Sequence, residues 1–205
     1  MKFVFDFAGV VFHWKPREML RRVLPAHTPD EAGVDRCEAA LFQGWGGDWA
    51  EFDRGTVDAP TLIQNISTRT GLSRSEVRAV VDAVPLELQP DPATLALIAA
   101  LRSEGHALYF LSNMPAPYAD HLEQRFPVVR EFVDGVFSAR VQAIKPEPAI
   151  FELAARRFGA EPAELLFFDD VAVNVAAAQA QGWNARQFAS AEDTAAALRQ
   201  QGWLR

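Results

Sequence analysis

Short apolar runs alternate with amphipathic stretches along most of this chain, and the two periods separate its elements. The first run, Lys2-Phe3-Val4-Phe5-Asp6-Phe7, predicts a buried strand over 2–7 that presents a carboxylate just before the break at Gly9. Residues 16–84 then read as mostly helical. Asp58 ahead of Ala59-Pro60 is an N-cap with proline in the first turn, and Gly71 closes that helix. Ser73-Arg74-Ser75-Glu76 matches a capping box, Pro85 ends the helix it opens, and 86–90 reads as a linker.

Beyond that linker the pattern changes. Asp91-Pro92 opens a helix that Gly105 stops, and 107–111 is a continuous apolar strand. A helix over 117–125 and a short strand over 136–138 follow. Pro148 opens a helix that Gly159 closes. A strand over 165–168, a helix over 174–181 stopped by Gly182, and a last strand over 184–188 complete the series. Short, fully apolar strands alternating with helices predict a doubly wound parallel sheet, an α/β fold with both faces covered. The expected organisation is an α/β core from 1–12 and 88–205, with a helical cap over 13–87 inserted next to the strand end that carries Asp6.

The bulk numbers narrow the function classes. A chain of 205 residues with 49% hydrophobic positions holds one full domain plus an insert. Its formal net charge of −7 argues against broad nucleic-acid binding, which needs many cations. A small phosphorylated metabolite stays compatible, because one local cationic pocket suffices. The single cysteine, Cys37, excludes an internal disulfide and fits a reducing, cytoplasmic setting. No apolar stretch approaches the ~18 residues of a membrane span. Neither a membrane segment nor a signal peptide is expected.

Four segments carry the candidate chemistry: Asp6, Leu111-Ser112-Asn113, Ile144-Lys145-Pro146 and Phe167-Phe168-Asp169-Asp170. Each lies at the end of an expected strand or in the loop after it, where open α/β sheets bind ligands. Taken singly they are ordinary. A strand-end Asp often bonds only its own turn, Ser-Asn favours turns and caps, and a loop lysine is usually solvated. The adjacent carboxylates Asp169 and Asp170 repel each other and are explained most simply by a hard cation such as Mg²⁺. A nucleophilic carboxylate, hydroxyl and amide donors, a lysine and a Mg²⁺ site are what phosphoryl transfer requires.

With these motifs in this order the chain resembles the haloacid dehalogenase-like hydrolase superfamily, in its helical-cap phosphatase branch. The resemblance implies that Asp6, in Phe5-Asp6-Phe7-Ala8-Gly9-Val10-Val11, is the nucleophile. It implies that Ser112 binds phosphate, that Lys145 is the third-motif lysine, and that Asp169, Asp170 and Asn174 form the fourth motif. Catalytic roles then fall to Asp6 and Lys145. Phosphate binding falls to the Phe7 and Ala8 backbone, Ser112, Asn113 and Lys145. Mg²⁺ is expected on Asp6, the Ala8 carbonyl and Asp170, with Asp169 in support.

One residue departs from that pattern. The family's phosphatases usually carry a second Asp two residues after the nucleophile to move protons, and here that position is Ala8. General acid–base help is worth ~10²–10⁴-fold. The expected activity is a Mg²⁺-dependent phosphomonoesterase working through an aspartyl-phosphate. A sugar phosphate is favoured, because the chain is similar to a bacterial sub-group of sugar 1-phosphate phosphatases with a small residue at this position. A metal-independent 2-haloacid dehalogenase and an impaired phospho-ligand-binding protein are the alternatives, and the acidic pair argues against the first. His13 is a candidate replacement for the missing acid and for substrate contact, or else a hinge histidine. In the cap's glycine-rich segment, Trp45 and Trp49 read as an aromatic wall or as packing. Asp48, Asp53 and Arg54 read as substrate contacts or as a solvated rim.

Overall fold

The computed structural model describes residues 1–43 and 47–205. Five parallel strands form one sheet in the order β3-β2-β1-β4-β5: β1 (Lys2–Phe5), β2 (Leu108–Ser112), β3 (Asp134–Phe137), β4 (Leu165–Asp169) and β5 (Asn184–Gln187). The first strand is therefore the middle one. Its side chains alternate between two separate apolar clusters: Phe3 and Phe5 face Phe110 and Phe168, and Val4 faces Leu111, Phe167 and Val136. Burial on both faces explains why these strands read as unbroken apolar runs.

Ten helices surround or extend the sheet among the described residues. Five lie between β1 and the return of the chain at Gln89: α1 (Pro16–Val23), α2 (Glu31–Phe42), α3 (Asp48–Arg54), α4 (Ala59–Thr70) and α5 (Arg74–Glu87). The others are α6 (Pro92–Ser103), α7 (Ala116–Arg125), α8 (Pro148–Arg157), α9 (Ala172–Ala180) and α10 (Ala191–Gln200). The expected caps are in place. Asp58 accepts from the Thr61 N–H, Ser73 and Glu76 close their capping box, and Asp91 accepts from the Thr94 N–H. Cys37 is buried in α2.

The helices α1–α5 leave and rejoin the core at one place. The His13 N–H donates to the Gln89 carbonyl and the Asp91 N–H to the Val11 carbonyl, so the outgoing and returning chains run side by side. Two expectations fail. The helix expected to end at Pro85 continues to Glu87. Proline lacks the N–H that would bond the carbonyl four residues back, here that of Val81. The Tyr118 hydroxyl from α7 donates to that carbonyl at 2.7 Å, so the interruption costs no orphaned acceptor. Helix α10 was not expected. Its buried positions are only Ala191, Thr194 and Leu198, too weak an apolar stripe to register as a period. No helix among the described residues is long and apolar enough to cross a membrane.

Candidate active site

Register assembles the site. Phe5 pairs with Phe168 across β1 and β4, so Asp6 emerges beside Asp169, and the Asp6 N–H donates to the Phe168 carbonyl at 2.9 Å. Ser112 ends β2 on the other side of β1. Lys145 reaches the same edge from the loop after β3. Its main chain is clamped by the Asn113 amide, which accepts from the Lys145 N–H at 2.8 Å and donates to its carbonyl at 2.9 Å.

The Lys145 ammonium lies 2.8 Å from Asp6 Oδ2 and 2.6 Å from Asp169 Oδ2, and it is 1% exposed. Burial alone would pull this ammonium down, but the Asp169 and Asp6 carboxylates outweigh it and hold its pKa above the usual range. Burial drives Asp6 up to about 7 against the pull of Lys145, with Asp169 and Asp170 adding repulsion. Asp170 rises to about 6, from burial and from Asp169. Three carboxylates with one ammonium leave the pocket short of positive charge.

The carboxylates are not equivalent. Asp169 is fully engaged: besides Lys145, it accepts from both the Asn174 amide (3.1 Å to each oxygen) and the Val171 N–H (2.8 Å). Asp6 Oδ1 accepts from the Phe7 N–H at 2.7 Å. Among the described residues, Asp170 Oδ1 is buried without a partner, and so is the Ser112 hydroxyl. Oxygens of Asp6, Asp169 and Asp170 lie within 4.8 Å of one another. An all-carboxylate donor set with an unpartnered buried oxygen fits a hard divalent cation. Gly9 is part of the same cradle. Its φ is +83°, and any Cβ there would collide with the Asp170 carboxylate.

Over this edge lies a cavity of about 260 Å³. It is lined by Ala8, Leu88, Asn113, Met114 and Ile144 on one side and by Trp14, Phe42, Trp49, Asp53 and Val84 from the 13–87 stretch. Trp49 does two things at once: it packs on Phe42 and Phe52 and borders the cavity. Trp45 lies outside the described residues.

His13 does not reach the cavity. It lies in a separate surface recess, 3.5 Å from Asp91, where the crossing chains direct it outward, and Trp14 takes the inward position. His13 is therefore not among the residues that line this cavity. Arg54 and Asp48 are also committed elsewhere, Arg54 in a two-pronged bond to Glu147 and Asp48 to Arg69. Asp53 is the residue whose importance the sequence understated. Its carbonyl is held by the Ser138 hydroxyl at 2.5 Å, and its carboxyl faces the cavity with no hydrogen-bond or ion-pair partner among the described residues. Burial raises its pKa to about 8, against Lys145 and with Asp6, so it stays protonated near neutrality. The signal was the turn-rich run ending at Gly55, whose φ of +81° terminates α3 just past Asp53.

The haloacid dehalogenase-like hydrolase family model matches residues 3–182. A sesquiterpene phosphatase of Aspergillus oryzae is 28% identical over 180 residues, covering 87% of this chain and 85% of that protein. A phosphoglycolate phosphatase of Haemophilus influenzae is 25% identical over 135 residues, covering 66% of this chain and 58% of that one. A HAD family enzyme of Bacteroides thetaiotaomicron, solved with magnesium and inorganic phosphate, superposes with a TM-score of 0.69 at 22% identity, covering 91% of this chain and 92% of that one.

Proposed function

Because this chain belongs to the haloacid dehalogenase-like hydrolase family, we propose that it is a Mg²⁺-dependent phosphomonoesterase acting on a small organic phosphate. One observation carries the reading: a carboxylate at a central strand end is bonded to a buried lysine, beside a second carboxylate with an unpartnered oxygen. Two similar proteins are named as phosphatases, and a third was solved with magnesium and phosphate, which supports the same chemistry.

In this reading Asp6, the Ala8 carbonyl and Asp170 would hold Mg²⁺, and Asp169 would keep Lys145 in place. The bound cation would offset the repulsion between Asp6 and an approaching phosphate dianion. Lys145, the Ser112 hydroxyl and the Ala8 N–H, which has no hydrogen-bond partner among the described residues, would hold the phosphate oxygens. Asp6 attacks phosphorus and the ester oxygen departs, taking a proton. Ala8 has none to give. Asp53, protonated and opening on the same cavity, supplies it, and its carboxylate then takes a proton from the water that cleaves the aspartyl-phosphate. The stretch 13–87 acts as a cap that encloses the substrate and excludes water.

The test is product analysis. A panel of phosphate esters and 2-chloro acids is incubated with Mg²⁺ or with chelator. Phosphate release that needs Mg²⁺ supports the phosphatase. Chloride release without metal would establish the dehalogenase instead.

The related phosphatases leave the alcohol open, since one is named for a sesquiterpene and the other for glycolate. The sugar phosphate expected from the sequence is a third option, and only the cavity wall separates them.

A further inference from the structure

Resting on the phosphatase reading, we propose that the substrate is the monophosphate of a compact apolar alcohol, seated between the α/β edge and the helical stretch above it. A sugar or a carboxylated alcohol does not match this cavity.

The walls decide this. Trp14, Phe42, Trp49, Val84, Leu88 and Met114 present mostly carbon to the space above the phosphate position, the two indole N–H groups aside. Four other lining groups carry polar atoms, and three are already committed. The Tyr118 hydroxyl donates to Val81, the Asn113 amide clamps Lys145 at both ends, and Glu38 accepts from Arg17 at 2.8 Å. Of these four, Asp53 alone makes no side-chain hydrogen bond or ion pair among the described residues; the indole N–H groups of Trp14 and Trp49 make no hydrogen bond there either. One protonated carboxyl matches one ester oxygen.

A sugar ring brings several hydroxyls, more than the few open polar atoms of this wall can bond, and the rest would lose their water without a replacement bond. Burying unsatisfied polar groups opposes binding. A substrate carboxylate needs a cation of its own. Lys145 is shared by Asp6, Asp169 and, in the phosphatase reading, the phosphate, and the nearby Arg54 is taken by Glu147. An apolar group, by contrast, gains from leaving water and meets matching surface. The volume of about 260 Å³ sits just below the usual range for drug-sized ligands, which sets the compactness.

The experiment compares kcat/KM for benzyl phosphate and isopentenyl monophosphate with those for glucose 1-phosphate and 2-phosphoglycolate, all with Mg²⁺. The apolar esters should lead by at least about 10-fold, the scale on which an apolar pocket discriminates. The Trp14→Gln variant should raise KM for the apolar esters while inorganic phosphate inhibits it as it does the wild type. A lead for the sugar or the glycolate ester would overturn the apolar assignment and leave the phosphatase intact. An unchanged KM in Trp14→Gln would also overturn it. Failure to hydrolyse any ester would bring down the phosphatase reading itself, and the substrate class with it.

Discussion

Gly9 and Asp170 occupy each other's space: Gly9 has a φ of +83°, and a side chain there would strike the Asp170 carboxylate. The glycine thus does two things, turning the chain after Asp6 and leaving room for the carboxylate that has an unpartnered oxygen. Gly9→Ala should push Asp170 out of position. The Mg²⁺ concentration for half-maximal activity should rise about 10–100-fold, the usual cost of disturbing a residue that orients a metal ligand. An unchanged Mg²⁺ titration would detach Asp170 from the metal.

The Asp53 carboxyl and the methyl of Ala8 share one cavity. Asp53→Asn should slow hydrolysis of alkyl phosphates by ~10²–10⁴-fold and of p-nitrophenyl phosphate far less, because a good leaving group needs no proton. Ala8→Asp in the Asp53→Asn background should restore part of the alkyl phosphatase activity. Equal losses on both esters, read from steady-state rates, would remove Asp53 as the acid.

Lys145 balances buried negative charge that has little other compensation. Lys145→Met should therefore destabilise the metal-free protein by about 3–5 kcal/mol in urea unfolding, since it leaves carboxylates uncompensated in the interior. A loss under about 1 kcal/mol would mean that the cluster is better solvated than its burial implies.

The titration of the cluster gives a signed prediction. Asp6, Asp170 and Asp53 start from 3.8 and rise to about 7, 6 and 8 in the folded protein. A carboxyl raised on folding binds more protons in the folded state, so its stabilisation is full below pH 4 and is lost as pH climbs through the folded value. In chelator, Tm should fall between about pH 4 and pH 8 from this cause. Mg²⁺ should stabilise more at pH 8 than at pH 5, because the ligands are then ionised. A Mg²⁺ effect independent of pH, followed by calorimetry, would contradict this.

The strand ends were legible because their apolar runs stop at chemistry: Val4-Phe5-Asp6, Leu111-Ser112 and Phe168-Asp169 each pass from core to site in one step. Helix caps were legible for a similar reason, being local bonds between near neighbours. What stayed hidden depends on distant partners. Pro85 reads as a stop until Tyr118 arrives to satisfy Val81. His13 reads as a catalytic candidate until the crossing with Gln89 sends it outward. Asp53 reads as one surface charge among several until Arg54 and Asp48 find partners and it does not.

The most direct measurement is phosphate release by the wild type and by Asp6→Asn, each with Mg²⁺ and with chelator. Release should occur in the wild type with Mg²⁺ alone, and Asp6→Asn should keep its fold by circular dichroism while releasing none. Wild-type rates from Asp6→Asn would show that Asp6 is not the nucleophile.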